Sequence, residues 1–136
     1  MANAMYPKGL EKILEADIDF GSDTFKLVLL DADASYSASD EYLDDVNSDA
    51  VATSGALANG STSSPGGGAF DADDVTYSSQ TGDPVAAVVL IKDTGSAATS
   101  PLICWWDTEA DTSSVDITPN GGDIDVTFGA GGLFTL

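Results

Sequence analysis

Any chemistry in this chain would have to be carried by carboxylates and hydroxyls. It has no histidine, no arginine and a single cysteine, Cys104. Without histidine there is no imidazole for general acid–base catalysis, for a Ser-His-Asp or Cys-His nucleophile, or for a histidine metal site. Without arginine the usual clamp on phosphoryl and carboxylate transition states is missing. One cysteine excludes an internal disulfide, and its apolar setting, Pro101-Leu-Ile-Cys-Trp-Trp, predicts a buried, inert thiol. Gly55 and Gly60 have the outer spacing of a phosphate-binding loop, but Ser61 stands where its lysine must be.

Carboxylates remain. Of the 23 acidic residues, 19 are Asp. So many guarantee close pairs by chance, so pairing alone does not point to glycoside chemistry. Calcium is the better use of clustered Asp, since it takes hard oxygen ligands. Asp71, Asp73 and Asp74 form the densest cluster, and Asp107, Glu109 and Asp111 follow the tryptophans. Neither has the spacing of an EF-hand loop, and solvated turns are the simpler reading. The expectation is therefore no catalytic residues, no cofactor and no metal. On a strand Trp105 and Trp106 would face opposite ways, one filling the core and one, Trp106, a candidate for contact with a partner or a glycan.

The net charge of -19 bears on partners. Nucleic-acid binding rests on lysine and arginine neutralising phosphates, and this chain would repel a polyanion. An anionic membrane surface is disfavoured likewise. No stretch is apolar enough to span a bilayer, and the start, Met1-Ala-Asn-Ala-Met-Tyr-Pro-Lys, does not read as a signal peptide. Synthesis in the cytoplasm is the expectation. The acidity itself fits a solvated, self-repelling surface, adaptation to a salty medium, or docking to a basic patch.

The elements that must position these residues are mostly strands. Residues 5–16 carry one amphipathic helix, with Tyr6, Leu10, Ile13 and Leu14 on a stripe and Pro7 in its first turn. It can pack on its own domain or on a neighbour. As a surface contact it offers Met5, Tyr6, Leu10, Ile13 and Leu14. Thr24–Leu30 and Val85–Ile91 are continuous apolar runs of the kind that form buried strands. Leu102–Trp106 is a third run, expected antiparallel to the second. Ser39–Val46 reads as a short helix or helical turn capped by Ser39. A weak strand is expected near Ala50–Leu57, and Gly60–Gly68 reads as a flexible Gly/Ser loop. Pro119-Asn-Gly-Gly is a turn, and Ile124, Val126 and Phe128 alternate as a strand. The expected architecture is mainly β, an antiparallel sandwich or barrel-like domain with one or two short helices near the N-terminus. Residues 1–16 form a helical arm and 17–136 a single β-domain.

Four segments carry a resemblance. They are Tyr6-Pro-Lys with Asp23-Thr-Phe-Lys-Leu-Val-Leu-Leu-Asp, and Tyr36-Ser-Ala-Ser-Asp-Glu-Tyr-Leu-Asp-Asp-Val with Val51-Ala-Thr-Ser. Next comes Phe70-Asp-Ala-Asp-Asp-Val-Thr-Tyr with Gly82-Asp-Pro-Val-Ala-Ala-Val-Val-Leu-Ile-Lys-Asp-Thr-Gly. The last is Ser100-Pro-Leu-Ile with Thr118-Pro-Asn-Gly-Gly-Asp-Ile-Asp-Val. In this order the chain resembles small virion structural proteins of tailed bacteriophages. The resemblance implies a non-catalytic head decoration (cement) protein, located in the virion. Its implied partners are the major capsid protein and copies of itself, a trimer on a threefold position being the natural guess. The alternatives are a tail-associated fibre or adaptor protein, and a calcium- or carbohydrate-binding β-module.

Overall fold

The computed structural model describes residues 3–63, 66–109 and 113–136. Its elements in chain order are β1 (Ala4–Met5), α1 (Pro7–Leu14), β2 (Phe25–Asp31), β3 (Ala50–Thr53) and β4 (Ala69–Phe70). They continue with β5 (Val75–Tyr77), β6 (Val85–Lys92), β7 (Leu102–Trp106), β8 (Ile124–Val126) and β9 (Phe134–Thr135). Five of the strands make one antiparallel sheet in the order β1-β7-β6-β2-β3. It is an open sheet, not a barrel. Two small antiparallel pairs, β4 with β9 and β5 with β8, complete the β-structure.

The long apolar runs make the centre of the sheet because they are the segments that can be buried on both faces. Leu27 to Leu30 of β2 and Val89 to Ile91 of β6 are at most 1% exposed. The strands pair with Leu27 opposite Leu90 and Leu29 opposite Val88. β7 follows antiparallel to β6, Leu90 facing Cys104 and Val89 facing Trp105. A register shift between Leu90 and Ile91 accommodates an extra residue in β7.

Side chains therefore divide into two cores. Phe25, Leu27, Leu29, Leu90, Ile103 and Cys104 pack on one face with Phe70, Tyr77, Ile124 and Leu133 from the small strands and the C-terminal segment. Val28, Leu30, Val89, Ile91 and Trp105 pack on the other with Tyr6, Leu43 and Val46. The first face is rich in rings: Phe20 stacks on Phe25 at 4.9 Å, and Phe70 lies 5.3 Å from Phe25. The second is covered by loop and 3-10 turns rather than by a sheet.

Several boundaries differ from the sequence expectation. Helix α1 begins at Pro7, while Met5 is in a strand opposite Cys104 and Tyr6 donates its backbone N–H to Ile103 O at 2.9 Å. An eight-residue helix is marginal alone, and no side chain caps its N-terminus. It is held by contact: a methyl group at Gly9 would run into the Leu102 carbonyl oxygen. The arm is thus laid on its own sheet. Of the two readings of Ser39–Val46, the helical turn is the one found: the chain makes a 3-10 turn at Leu43–Asp45, followed by another at Asn47–Asp49. Ser39 is not its cap. Asp45 takes that part, accepting the N–H groups of Glu41 and Tyr42 at 2.7 and 3.2 Å. Strand β3 is shorter than expected, although Ser54 and Leu57 still donate to Leu27 O and Phe25 O. Within Gly60–Gly68, Ser61 pairs with Asp71 through two backbone bonds of 2.8 and 2.9 Å; Ser64 and Pro65 lie outside the described residues.

Candidate functional site

The preference for Asp over Glu has a structural explanation. Asp19 accepts the Gly21 N–H at 2.8 Å, Asp31 that of Asp33 at 2.8 Å, and Asp93 that of Gly95 at 3.0 Å. Only the short carboxylate reaches the backbone two residues on, which is what closes an Asx-turn. Others join segments distant in sequence. Asp74 accepts the Phe128 N–H at 2.8 Å, and Asp123 that of Ser79 at 3.0 Å. Asp73 takes the Asn59 amide at 2.6 Å. Asp73 and Asp74, adjacent in sequence, are thereby committed to different partners. Among the described residues no three carboxylates or thiols converge on a point that would hold a metal. Asp111, of the second expected cluster, lies outside the described residues.

All four lysines are paired. Lys8 meets Glu11 at 3.0 Å, Lys12 meets Glu41 at 2.8 Å, Lys26 meets Asp93 at 2.8 Å and Lys92 meets Asp23 at 2.9 Å. The Lys26 hydrogen bond, then the Gly95 N–H, hold Asp93 below the ordinary carboxylate value. The Lys12 hydrogen bond does the same for Glu41. Burial, then the charge of Asp45, pushes Asp40 upward. The cations are gathered at α1 and the adjoining ends of β2 and β6, leaving carboxylates, nearly all of them Asp, to set the potential over the rest of the surface. Burial also raises the Cys104 thiol, whose sulfur lies 2.8 Å from Met5 Sδ, so it is inert packing.

The expected contact residues are distributed as follows. Tyr6 is fully buried in the second core. Met5, Ile13 and Trp106 are half-buried and pack against the first core, and Leu10 is half-buried. Leu14 alone of the stripe is open, at 87% exposure. The helix stripe is therefore mostly spent inside the molecule. Trp105 and Trp106 do face opposite ways, Trp105 buried in the second core and Trp106 on the first-core side.

Trp106 borders a cleft of about 550 Å³. Leu27 and Val88 are on its wall, with Val126, Phe128 and Asp125 from β8 and the residues after it. Sequence reasoning placed Trp106 and the Ile124-Val126-Phe128 alternation separately; only the fold brings them to one cavity. It also missed the node at Leu27. There the Ser54 hydroxyl accepts the Leu27 N–H at 2.9 Å, and the Tyr77 hydroxyl donates to Leu27 O at 2.7 Å. No helix among the described residues is long and apolar enough to cross a membrane. No protein-family model matches the chain, and no curated protein matches it significantly.

Proposed function

We propose that this chain is a non-catalytic structural protein of a tailed-phage virion, acting as a head decoration (cement) protein. Its partners would be the major capsid protein and other copies of itself. The observation that carries this reading is where the resembling segments fall. Val51-Ala-Thr-Ser, Asp23–Asp31, Gly82–Gly95 and Ser100–Ile103 supply β3, β2, β6 and part of β7, so the likeness runs through the central sheet. The chemistry of the side chains is compatible with it. The lysines are in ion pairs and many Asp are committed to loop backbone, which suits a rigid body that works by contact. An anionic exterior would also keep loaded particles apart in solution.

Stoichiometry tests the proposal. In purified particles this chain should be present within a small factor of the major capsid protein. A ratio of about one in fifty would reassign it to the tail, and absence would overturn the virion reading.

A second reading rests on the Trp106 cleft. A cleft lined by the Trp106 indole, Phe128 and Asp125 offers the mixture of ring and hydroxyl acceptor that suits a neutral saccharide. Titration with neutral oligosaccharides, followed by Trp fluorescence, tests it. A saturable change lost in Trp106→Ala supports binding, and no change up to millimolar sugar removes it.

A further inference from the structure

Two of the four asparagines are followed by glycine, Asn59-Gly60 and Asn120-Gly121. Such a pair carries the reactants of its own modification. The glycine has no side chain to hinder its nitrogen, which can swing to attack the asparagine amide carbon. The two pairs are held differently. At Asn120 both reacting groups are engaged: Oδ1 accepts the Gly122 N–H at 2.9 Å, and the Gly121 N–H donates to Gln80 O at 2.7 Å. A second bond, from the Gln80 N–H to Gly122 O at 2.8 Å, fixes the turn. At Asn59 the side-chain amide donates to Asp73 at 2.6 Å, but among the described residues the Gly60 N–H has no hydrogen-bond partner. Asn59 and Gly60 are both exposed, so water reaches them.

We propose that Asn59 is a self-modification site, at which the chain deamidates and so loosens the turn that this residue holds. Hydroxide takes the Gly60 amide proton, and the nitrogen attacks Asn59 Cγ. The new bond closes a succinimide ring. The bond from Cγ to Nδ2 breaks, and Nδ2 leaves as ammonia with a proton from water. Water then opens the ring at either carbonyl, giving aspartate or isoaspartate at position 59. The sum is one water consumed and one ammonia released, with no oxidant or cofactor. The chemistry is intrinsic to the chain and independent of any virion role.

The product matters because of what faces position 59. Where an amide donated to Asp73, a carboxylate would stand against it, like charge on like charge. In the isoaspartate product the main chain runs through the former side chain and gains one carbon. That segment is pinned on both sides, by the Asp73 N–H on Ala58 O at 2.9 Å and by the two Ser61–Asp71 bonds of 2.8 and 2.9 Å. A longer chain between them cannot keep both sets. Gly60 also runs beside the Phe70 ring, since a methyl group there would come within 3.2 Å of it, and Phe70 is buried in the first core. Loosening at position 59 therefore reaches a core residue.

The test is peptide mapping by mass spectrometry on the folded chain, aged at mildly alkaline pH to speed the attack. Deamidation adds about 1 Da. Position 59 should gain it at least about fivefold faster than position 120, the factor corresponding to one ordinary hydrogen bond on the attacking nitrogen. In urea, where both pairs are freed, the two rates should converge. Asn59→Asp should lower the melting midpoint by about 2–5 °C, and adding Asp73→Asn, which restores an amide–carboxylate pair, should return most of that loss. Hydrogen exchange of the aged chain should show lost protection at the Ser61, Asp71 and Asp73 amides. Equal or faster modification at Asn120 in the folded chain would overturn the proposal. So would an Asn59 that stays intact when folded but reacts in urea, or a modified chain with unchanged melting and exchange.

Discussion

At the scale of single residues, a few buried polar groups decide more than the many exposed ones. Ser54 satisfies the backbone N–H of Leu27 inside the first core. Ser54→Ala leaves that N–H orphaned, and urea unfolding should show a loss of about 1–3 kcal/mol. Tyr77→Phe is expected to cost less, about 0.5–1.5 kcal/mol, because Leu27 O keeps the Ser54 N–H. The carboxylates pull stability in two directions with pH. Asp93 and Asp19 are held low, Asp93 first by Lys26 and Asp19 first by the Ser22 hydroxyl. The folded state binds protons less readily there, so their contribution is present above about pH 4 and is lost below it. Asp40, raised first by burial, behaves oppositely: the folded state takes the proton more readily, so stability grows as pH falls through its raised value. In about 1 M KCl, where general repulsion is screened, the urea midpoint should rise as pH falls from neutral toward about 4, then drop. Asp40→Asn should remove the rise and keep the drop.

At the scale of elements, α1 is the informative case. Its pattern is that of an amphipathic helix, yet only one residue of its stripe remains outside. Ile13 packs on the first core and Tyr6 is enclosed by the second, whereas Leu14 projects at 87% exposure. Leu14→Glu should therefore leave thermal stability within about 0.5 kcal/mol, while Ile13→Ala costs about 1–3 kcal/mol. If α1 docks on a capsid, Leu14→Glu would still reduce occupancy on the particle, which separates a contact role from a folding role. Gly9→Ala tests the seat of the helix. The added methyl meets the Leu102 carbonyl, and overpacking against backbone should cost about 1–3 kcal/mol, read from the same unfolding curves.

At the scale of the whole molecule, charge and architecture act against each other. The lysines are gathered at one end in ion pairs, so the rest of the surface repels itself. Adding KCl to about 1 M should raise the melting midpoint by roughly 5 °C, the sign expected where screening relieves repulsion. A midpoint that falls with salt would mean that the ion pairs outweigh the unpaired carboxylates. The core that resists this repulsion is unusual for an antiparallel sheet, since β2 and β6 are buried on both faces. One face is covered by small strands and the other by turns.

The sequence by itself determined the central strands and the fold class. Runs such as Leu27–Leu30 and Val88–Ile91 have no polar face to show to water, so they can only be buried, and their spacing from Leu102–Trp106 made the antiparallel pairing legible. Composition also determined which side-chain chemistries are available, because a group that is absent cannot be supplied by folding. Tertiary structure alone decided the rest. Whether α1 packs inward, which tryptophan meets which core, and that Trp106 shares a cleft with Phe128 all depend on long-range contacts. The same holds for Asp45 capping a 3-10 turn where Ser39 was expected as the cap, since local patterns of two and three to four residues record which face is apolar but not what covers it.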